Sequence, residues 1–482
     1  MIRHGRTVAA LATVGALLLA GCRSDDGGTQ PTSAPTTTAT AATETTAGAE
    51  TVATEPSTGE TAAPSTGETT PASDAPDTTT VATDAPAEAW IANTDDCPSS
   101  VTDPIEGEIK IGSAMPLSGP VAGGYKPVAD GLQAYIDYAN ANNLVDGHTL
   151  TLDTQDDQYD PNLTPGAIST LIDGGASLMT GILGSDNNLA VRDTLNEECI
   201  PQLLALTGSP DWGDVESYPW TTGALVPYDI ETAIYAKELK KMGVTTVGVY
   251  RINNEFGKVF SESFIEAADA EGLEIIDDQT VELGDNTPPK SQVEAFARSK
   301  PDAIVAVPLS LQCPAFTTQL VETKAANPGW DPVVFLTNTC ASRLLISVLA
   351  GGSGDKVYTS SNLIDPVDPK NSGVPGVVAL QAAYAGAALG GDIATVAVGW
   401  LVGEYTVNIL NAAIASGSLT RQSIIEAARN LEFVPSLGRE GTVYKMDGDA
   451  DSNSFQSLTI LQWDEANNAY IELGPEDTSY ES

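Results

Sequence analysis

Histidine is almost missing from this chain, with two in 482 residues, His4 and His148. His4 lies ahead of the first apolar run and His148 stands beside Gly147 in what reads as a turn, so Ser-His-Asp, Cys-His and histidine-rich metal sites are not expected, for want of residues. Cations are scarce too: 22 Lys and Arg face 65 Asp and Glu, a formal net charge of −43. Nucleic acids and anionic lipid surfaces are bound through clustered cations, so neither is expected as a partner. The acidity reads as a solvated, soluble surface. Cysteine occurs five times and never as C-x-x-C, which argues against a redox motif or a zinc knuckle. No G-x-G-x-x-G or Walker-type loop stands at a strand-to-helix junction, so nucleotide binding lacks its motif. No metal or other cofactor is expected. DTQDDQYDPN (153–162) lacks the glycine and terminal glutamate of an EF-hand loop. Asp447, Asp449, Asp451 and Asn453 have its early spacing, but Ser452 and Leu458 replace the required glycine and bidentate acid.

What is present begins with a short apolar run. Arg3, His4 and Arg6 precede Thr7 to Ala20, a stretch shorter than the roughly 18 residues that a spanning helix needs. It reads as a secretory signal, residues 1–21, and its end, Leu-Ala-Gly-Cys, resembles the bacterial lipobox, in which lipid is attached to Cys22. Cleavage there leaves 20 Lys and Arg against 65 acids, a balance of −45. Residues 22–88 are rich in Thr, Ala, Pro and Ser, repeat PSTGET at Pro56 and Pro64, and hold too few large apolar residues to fold. They read as a disordered tether whose ends lie ~45 Å apart as a coil and ~200 Å apart when extended. The expected location is the outer face of a bacterial cell membrane, held by the lipid alone. Four cysteines remain outside the reducing cytoplasm, Cys97, Cys199, Cys313 and Cys340, enough for two disulfides with three possible pairings.

The body from Cys97 onward alternates short apolar runs with amphipathic segments. IKIGSAMPL, HTLTLDTQD, SLMTGIL, PQLLALT, TTVGVYR, LEIIDDQTV, DAIVAVPLS and PVVFLTN read as strands, most of them separated by a helical pattern. This rhythm implies an α/β fold with parallel sheets and helices on both faces, divided into two lobes. Gly243 is expected to end a helix in the left-handed conformation, and Asp229 to cap its start. ATVAVGWLVGEYTVNILNAAIA (394–415) reads as a buried helix, since Glu404 and Asn408 interrupt its apolar surface. GTVYKMDGDADSNSFQSLTILQW reads as two strands around a polar turn.

Open α/β sheets bind ligands at the carboxyl ends of their strands. Three such ends are rich in small and hydroxylic residues: PLSGPVAGG (116–124), GILGSDNN (181–188) and LALTGSP (204–210). Backbone N–H groups beside a helix start, with serine and threonine hydroxyls, suit a carboxylate or another polar head group.

MPLSGPVAGG, DDQYDP, GILGSDN, IPQLLALTGSP and YRINNEFGKVF, in this order, resemble the branched-chain amino-acid-binding family of type I periplasmic solute-binding proteins, which serve ABC transporters. The resemblance implies two Rossmann-like lobes joined by a three-stranded hinge, residues 97–226 with 360–455 in one lobe and 227–359 with 456–475 in the other. It implies a non-enzymatic, monomeric receptor that captures a small solute, such as an amino acid or a related carboxylate or amide, and hands it to an ABC permease. A sensory protein of the same fold, a tethered hydrolase with paired carboxylates and a surface adhesin are the rival readings. By the same likeness the head-group positions fall on Ser185 and on Leu206, Thr207 and Gly208, with Ser118 of the first motif counted among the candidates. In the second lobe Phe256 replaces a tyrosine of the amino-acid binders, Leu309 replaces another aromatic, and Asn338 falls near the acid that holds the ligand ammonium. An asparagine cannot neutralise an ammonium, and burying one unpaired costs several kcal/mol. A polar or carboxylate head with an apolar tail therefore fits better. The implied fold also sets Cys313 and Cys340 at the ends of neighbouring strands, which leaves Cys97 to pair with Cys199.

Overall fold

The structure, a computed structural model, describes residues 89–347 and 356–475. The expected signal, the expected lipidation position Cys22 and the expected tether lie outside the described residues. From its start the chain alternates strand and helix: β1 (Glu108–Met115), α1 (Ala122–Ala141), β2 (Thr149–Asp156), α2 (Thr164–Asp173), β3 (Leu178–Thr180), α3 (Ser185–Glu197), β4 (Gln202–Ala205) and β5 (Thr221–Gly223). These strands form a parallel sheet in the order β2-β1-β3-β4-β5, with Glu108 opposite Thr149 and Met115 opposite Asp156.

The alternation resumes in a second sheet with α4 (Tyr228–Lys241), β6 (Thr246–Ile252), α5 (Glu255–Glu271), β7 (Glu274–Val281), α6 (Lys290–Ser299), β8 (Ala303–Val307), α7 (Gln312–Ala326), β9 (Val333–Leu336), α8 (Arg343–Ser347) and β10 (Val357–Ser361). The chain then returns to the first half with α9 (Pro375–Gly386), α10 (Ile393–Ala415), α11 (Arg421–Arg429) and the short pair β11 (Glu432–Phe433) and β12 (Tyr444–Lys445). It crosses a third time to add β13 (Thr459–Asp464) and β14 (Ala469–Pro475), giving the order β14-β13-β10-β9-β8-β6-β7. The strands β6 to β10 are parallel, and the final two join antiparallel.

Strands covered on both faces have no need of a polar side, and all five residues of β8, Ala-Ile-Val-Ala-Val, are buried. α10 is long and apolar enough to cross a membrane by length and composition, yet it packs against α1, α9 and α11. Its contact with α1 is close because glycines stand where the helices meet. A Cβ on Gly399 would lie 1.8 Å from the Val128 carbonyl oxygen, and one on Gly131 would lie 2.0 Å from that of Val396. Trp400 then packs edge-on to Tyr135, ring centres 4.8 Å apart. Glu404 is buried on this apolar helix, where its carboxylate accepts the Ser436 N–H at 2.8 Å and the Ser436 hydroxyl at 2.5 Å. Disulfides join Cys97 to Cys199 and Cys313 to Cys340.

Two local readings are corrected. Gly243 is left-handed at φ 80°, as its place after α4 requires, but Asp229 is not the cap at the other end. Pro227, extended, precedes the first helical residue, its carbonyl accepts the Glu231 N–H, and the Asp229 side chain accepts only its neighbour's N–H. The Tyr228 N–H is already taken by the Gly208 carbonyl at 2.6 Å, so the helix starts one residue before Asp229. Residues 441–463 are not one hairpin either. Tyr444 pairs with Phe433 in the first half, whereas Thr459 pairs with Ser361 in the second sheet, so the polar stretch between them, after the expected turn closed by the Asp447–Asp451 bridge, is a crossover.

Candidate ligand-binding site

The carboxyl ends of the parallel strands in both halves face one cleft, of about 1540 Å³ with its open mouth included. Its walls contain Ser185, Leu206, Phe256, Leu309 and Asn338 among the residues singled out from the sequence. Thr207 lies directly behind, its hydroxyl 2.7 Å from that of Ser185. Gly208 backs onto Tyr228, where a Cβ would come within 2.6 Å of the ring. Ser118 is not a cleft residue. It is exposed, and its hydroxyl and backbone N–H both donate to Asp156, because the β1 end turns out toward the β2 end there.

The polar head of the cleft is built by residues that sequence reasoning did not single out. Tyr125, Tyr159 and Tyr228 line it beside Ser185. Tyr159 is held in the left-handed region at φ 61°, following Gln158 at φ 55°. Such a pair is costly for non-glycine residues and persists only where the surroundings impose it. Here the buried Asp157 imposes it: its carboxylate accepts the Tyr159 N–H at 3.0 Å, the Thr164 hydroxyl at 3.0 Å and the Asn187 amide at 2.9 Å. Burial pushes the Asp157 carboxyl above its ordinary range, against those three hydrogen bonds. Gly184, at φ 107°, completes the cradle, since a Cβ there would meet the Tyr159 ring at 2.7 Å.

Burial raises all three phenols, Tyr228 to about 12, so they stay protonated and serve as neutral donors. With the Ser185 hydroxyl and the N–H groups of the first turn of α3, they suit a carboxylate or carbonyl oxygen. The two halves touch across the cleft. The Ser310 N–H donates to the Tyr125 hydroxyl at 3.4 Å, and the Glu255 N–H donates to Asp186 at 3.2 Å.

Beyond the head the wall turns apolar. Ala394, Ala397, Val398, Leu401, Val402 and Tyr405 of α10 face the cleft at spacings of three and four residues, one stripe of the helix. All three crossovers contribute as well: Ala224 to Val226, Ser361 to Val367, and Phe455. Asn338 lines the cleft while its backbone N–H donates to Glu231 at 2.8 Å, and Glu231 itself is fully buried behind it. Among the described residues no group of three or more His, Cys, Asp or Glu is placed to hold a metal ion.

Two half-domains of mainly parallel sheet, three crossings and one cleft at the strand ends define the architecture, and residues 108–468, about three quarters of the chain, match the periplasmic binding protein family. The chain belongs to that family. Its members are solute-binding proteins, and those of ABC transporters deliver small molecules to a permease. No match to a curated protein sequence was found. A fatty acid ABC transporter substrate-binding protein from Thermomonospora curvata is 20% identical, with TM-score 0.65 over 79% of this chain and 95% of that one. A branched-chain amino acid ABC transporter protein from Thermus thermophilus with bound valine is 15% identical, with TM-score 0.69 over 78% and 97%. An R. palustris solute-binding protein in complex with 4-hydroxybenzoate is 16% identical, with TM-score 0.64 over 78% and 98%. At these identities the likeness establishes the fold.

Proposed function

We propose that this chain is a lipid-anchored receptor, held outside the membrane through Cys22, that captures a small molecule with a carboxylate or amide head and an apolar body and delivers it to an ABC permease. The observation that carries the reading is the cleft's division into a head of neutral donors and a long apolar wall. Phenols, the Ser185 hydroxyl and the amides of α3 suit a carboxylate, and among the described residues the acids that line the cleft, Asp365 and Asp392, stand away from that end. The ligands named for the structural relatives, valine, a fatty acid and 4-hydroxybenzoate, are all carboxylates with an apolar body. We assign residues 97–226 with 360–455 to the lobe that binds the head, and 227–359 with 456–475 to the lobe that closes over it as a monomer. A solute bound only by the folded state stabilises it by mass action.

The test is a thermal-shift screen of the purified full chain against branched-chain and polar amino acids, amides and carboxylates with apolar tails. Stabilisation by the tailed carboxylates, about 3 kcal/mol at a hundredfold excess over Kd, is the expected result. Stabilisation confined to α-amino acids would refute the choice of solute, and turnover of a bound compound would refute the receptor role.

A further inference from the structure

The cleft has a second polar end that the head-group reading leaves unused. Along α10 the lining stripe starts at the Asp392 cap and passes Val402, which packs beside Gly181 below the head, roughly 15 Å away at the helical rise. At the Asp392 end the apolar wall gives way to Ser342, Arg343, Asp365, Arg439 and Tyr470. Arg439 is only 6% exposed, its place fixed by a backbone hydrogen bond to the Asn362 carbonyl at 2.9 Å. Its Nη1 donates to Glu472, but its Nε–H has no partner among the described residues, nor has the buried Tyr470 hydroxyl.

Charge narrows what those atoms can receive. Asp365 and Asp368 pair with Arg343, while Glu472 pairs with Arg439 and Lys370. Asp392 is left over: its oxygens accept the Ala394 N–H at 3.2 Å and the Ser342 hydroxyl, neither of them a cation. A carboxylate placed here meets the Asp392 charge. An ammonium satisfies Asp392 but leaves the Arg439 Nε–H without an acceptor, beside two guanidinium groups. An uncharged group that both accepts and donates satisfies every member. The Tyr470 phenol lies among these groups: it lines the cleft with them, Arg343 pairs with Asp365 and donates to the Asn468 carbonyl two residues before it, Ser342 joins Asp392, and Arg439 pairs with Glu472 two residues after it.

We infer that Arg439, Tyr470 and Asp392 form a second subsite for an uncharged hydroxyl or carboxamide at the far end of the solute's apolar segment. The inference rests on the reading of the cleft as the solute site. It makes the solute a molecule with two polar ends, the carboxylate at Ser185 and the phenols, the neutral terminus at Arg439. A buried donor left unpaired costs ~1–3 kcal/mol, so a solute lacking the second terminus binds about 10-fold more weakly.

Calorimetric titration of the full chain tests this with octanoate, decanoate and dodecanoate, each against its ω-hydroxy, ω-amino and ω-carboxy derivative. The expected order puts the ω-hydroxy acid about 10-fold tighter than the plain acid at the best-fitting length. That ratio should collapse toward one in both Tyr470→Phe and Asp392→Asn, each checked for an intact melting transition. Equal affinities for plain and ω-hydroxy acids, or tightest binding of the dicarboxylate, overturn the second subsite while leaving the head-group reading standing. Failure of every linear carboxylate to bind, with amino acids binding instead, overturns both.

Discussion

Glu231 offers the sharpest test of how the cleft wall is supported. It lies in the first turn of α4, fully buried; one carboxylate oxygen accepts the Asn338 N–H at 2.8 Å, and the other has no partner among the described residues. Burial pushes this carboxyl from its ordinary 4.5 up to about 7, against the Asn338 N–H, which favours the anion. The folded protein therefore holds the proton more tightly than the unfolded chain does. The stability linked to that proton is complete below about pH 4.5 and is lost as pH rises through about 7. At about 1.4 kcal/mol per pH unit the whole effect is about 3 kcal/mol. Glu231→Gln keeps an acceptor for Asn338 and replaces the titrating oxygen with a permanently neutral amide. The variant should match the parent protein in acid and exceed it by about 3 kcal/mol above neutrality. Denaturant unfolding at a series of pH values, with both disulfides intact, measures that difference. Asp157, Asp186 and Glu404, also raised by burial, cancel in the comparison. A difference that is flat with pH, or that favours the parent at high pH, would mean that Glu231 is charged and paired in the fold.

Replacing Cys313 and Cys340 by serine should lower stability by about 3.6 kcal/mol, the chain-entropy value for a loop closed across 27 residues. An unchanged denaturation midpoint under oxidising conditions would show that the bond does not form. Gly399→Ala must push α10 off α1, since its Cβ has the Val128 carbonyl at 1.8 Å, and a cost of about 2–3 kcal/mol in thermal unfolding is expected. A variant as stable as the parent would place the helices farther apart than described. Gly184→Ala would drive a methyl into the Tyr159 ring, and solute affinity should fall at least about 10-fold with the fold retained. Undiminished binding would remove Tyr159 from the head-group site.

The strand rhythm was legible because a parallel strand covered on both faces writes its burial directly into sequence: Ala-Ile-Val-Ala-Val can hardly be anything else. The small, hydroxylic strand ends were legible for the same reason, since they interrupt those runs. Ser185 and Leu206 stand there in the cleft, whereas Ser118, of the same composition, turns out to Asp156. Composition marks a strand end but not the direction its side chain takes. The tyrosines escaped notice although Tyr159 stands within DDQYDP and Tyr125 directly follows MPLSGPVAGG. Their place depends on a left-handed turn fixed by Asp157, which no periodicity records. α10 hid its stripe differently: a helix apolar all round gives no sign of which face meets a core and which a cavity. The polar turn at Asp447 to Asp451 is there, closed by an antiparallel bridge, but nothing in its composition shows that the strands on either side of it belong to different sheets.

That the cleft touches every crossover bears on how capture reports itself. A ligand shifts a conformational equilibrium only by the difference in its contacts between two states. In this cleft Ala224 to Val226, Ser361 to Val367 and Phe455 belong to the segments through which the halves are joined, and Arg439 is hydrogen-bonded to the second of them. A solute lying along α10 therefore contacts the joints themselves as well as the faces that meet. α10 meets α1 through helix contacts too close for a side chain, so on the proposed reading it is the crossovers, not this helix pair, that would give way to a longer or shorter solute. On the proposed reading, solute length sets how far the halves can close. A permease that recognises the closed form would then reject solutes that bind but hold the joints apart, so selection at delivery would be stricter than selection at binding.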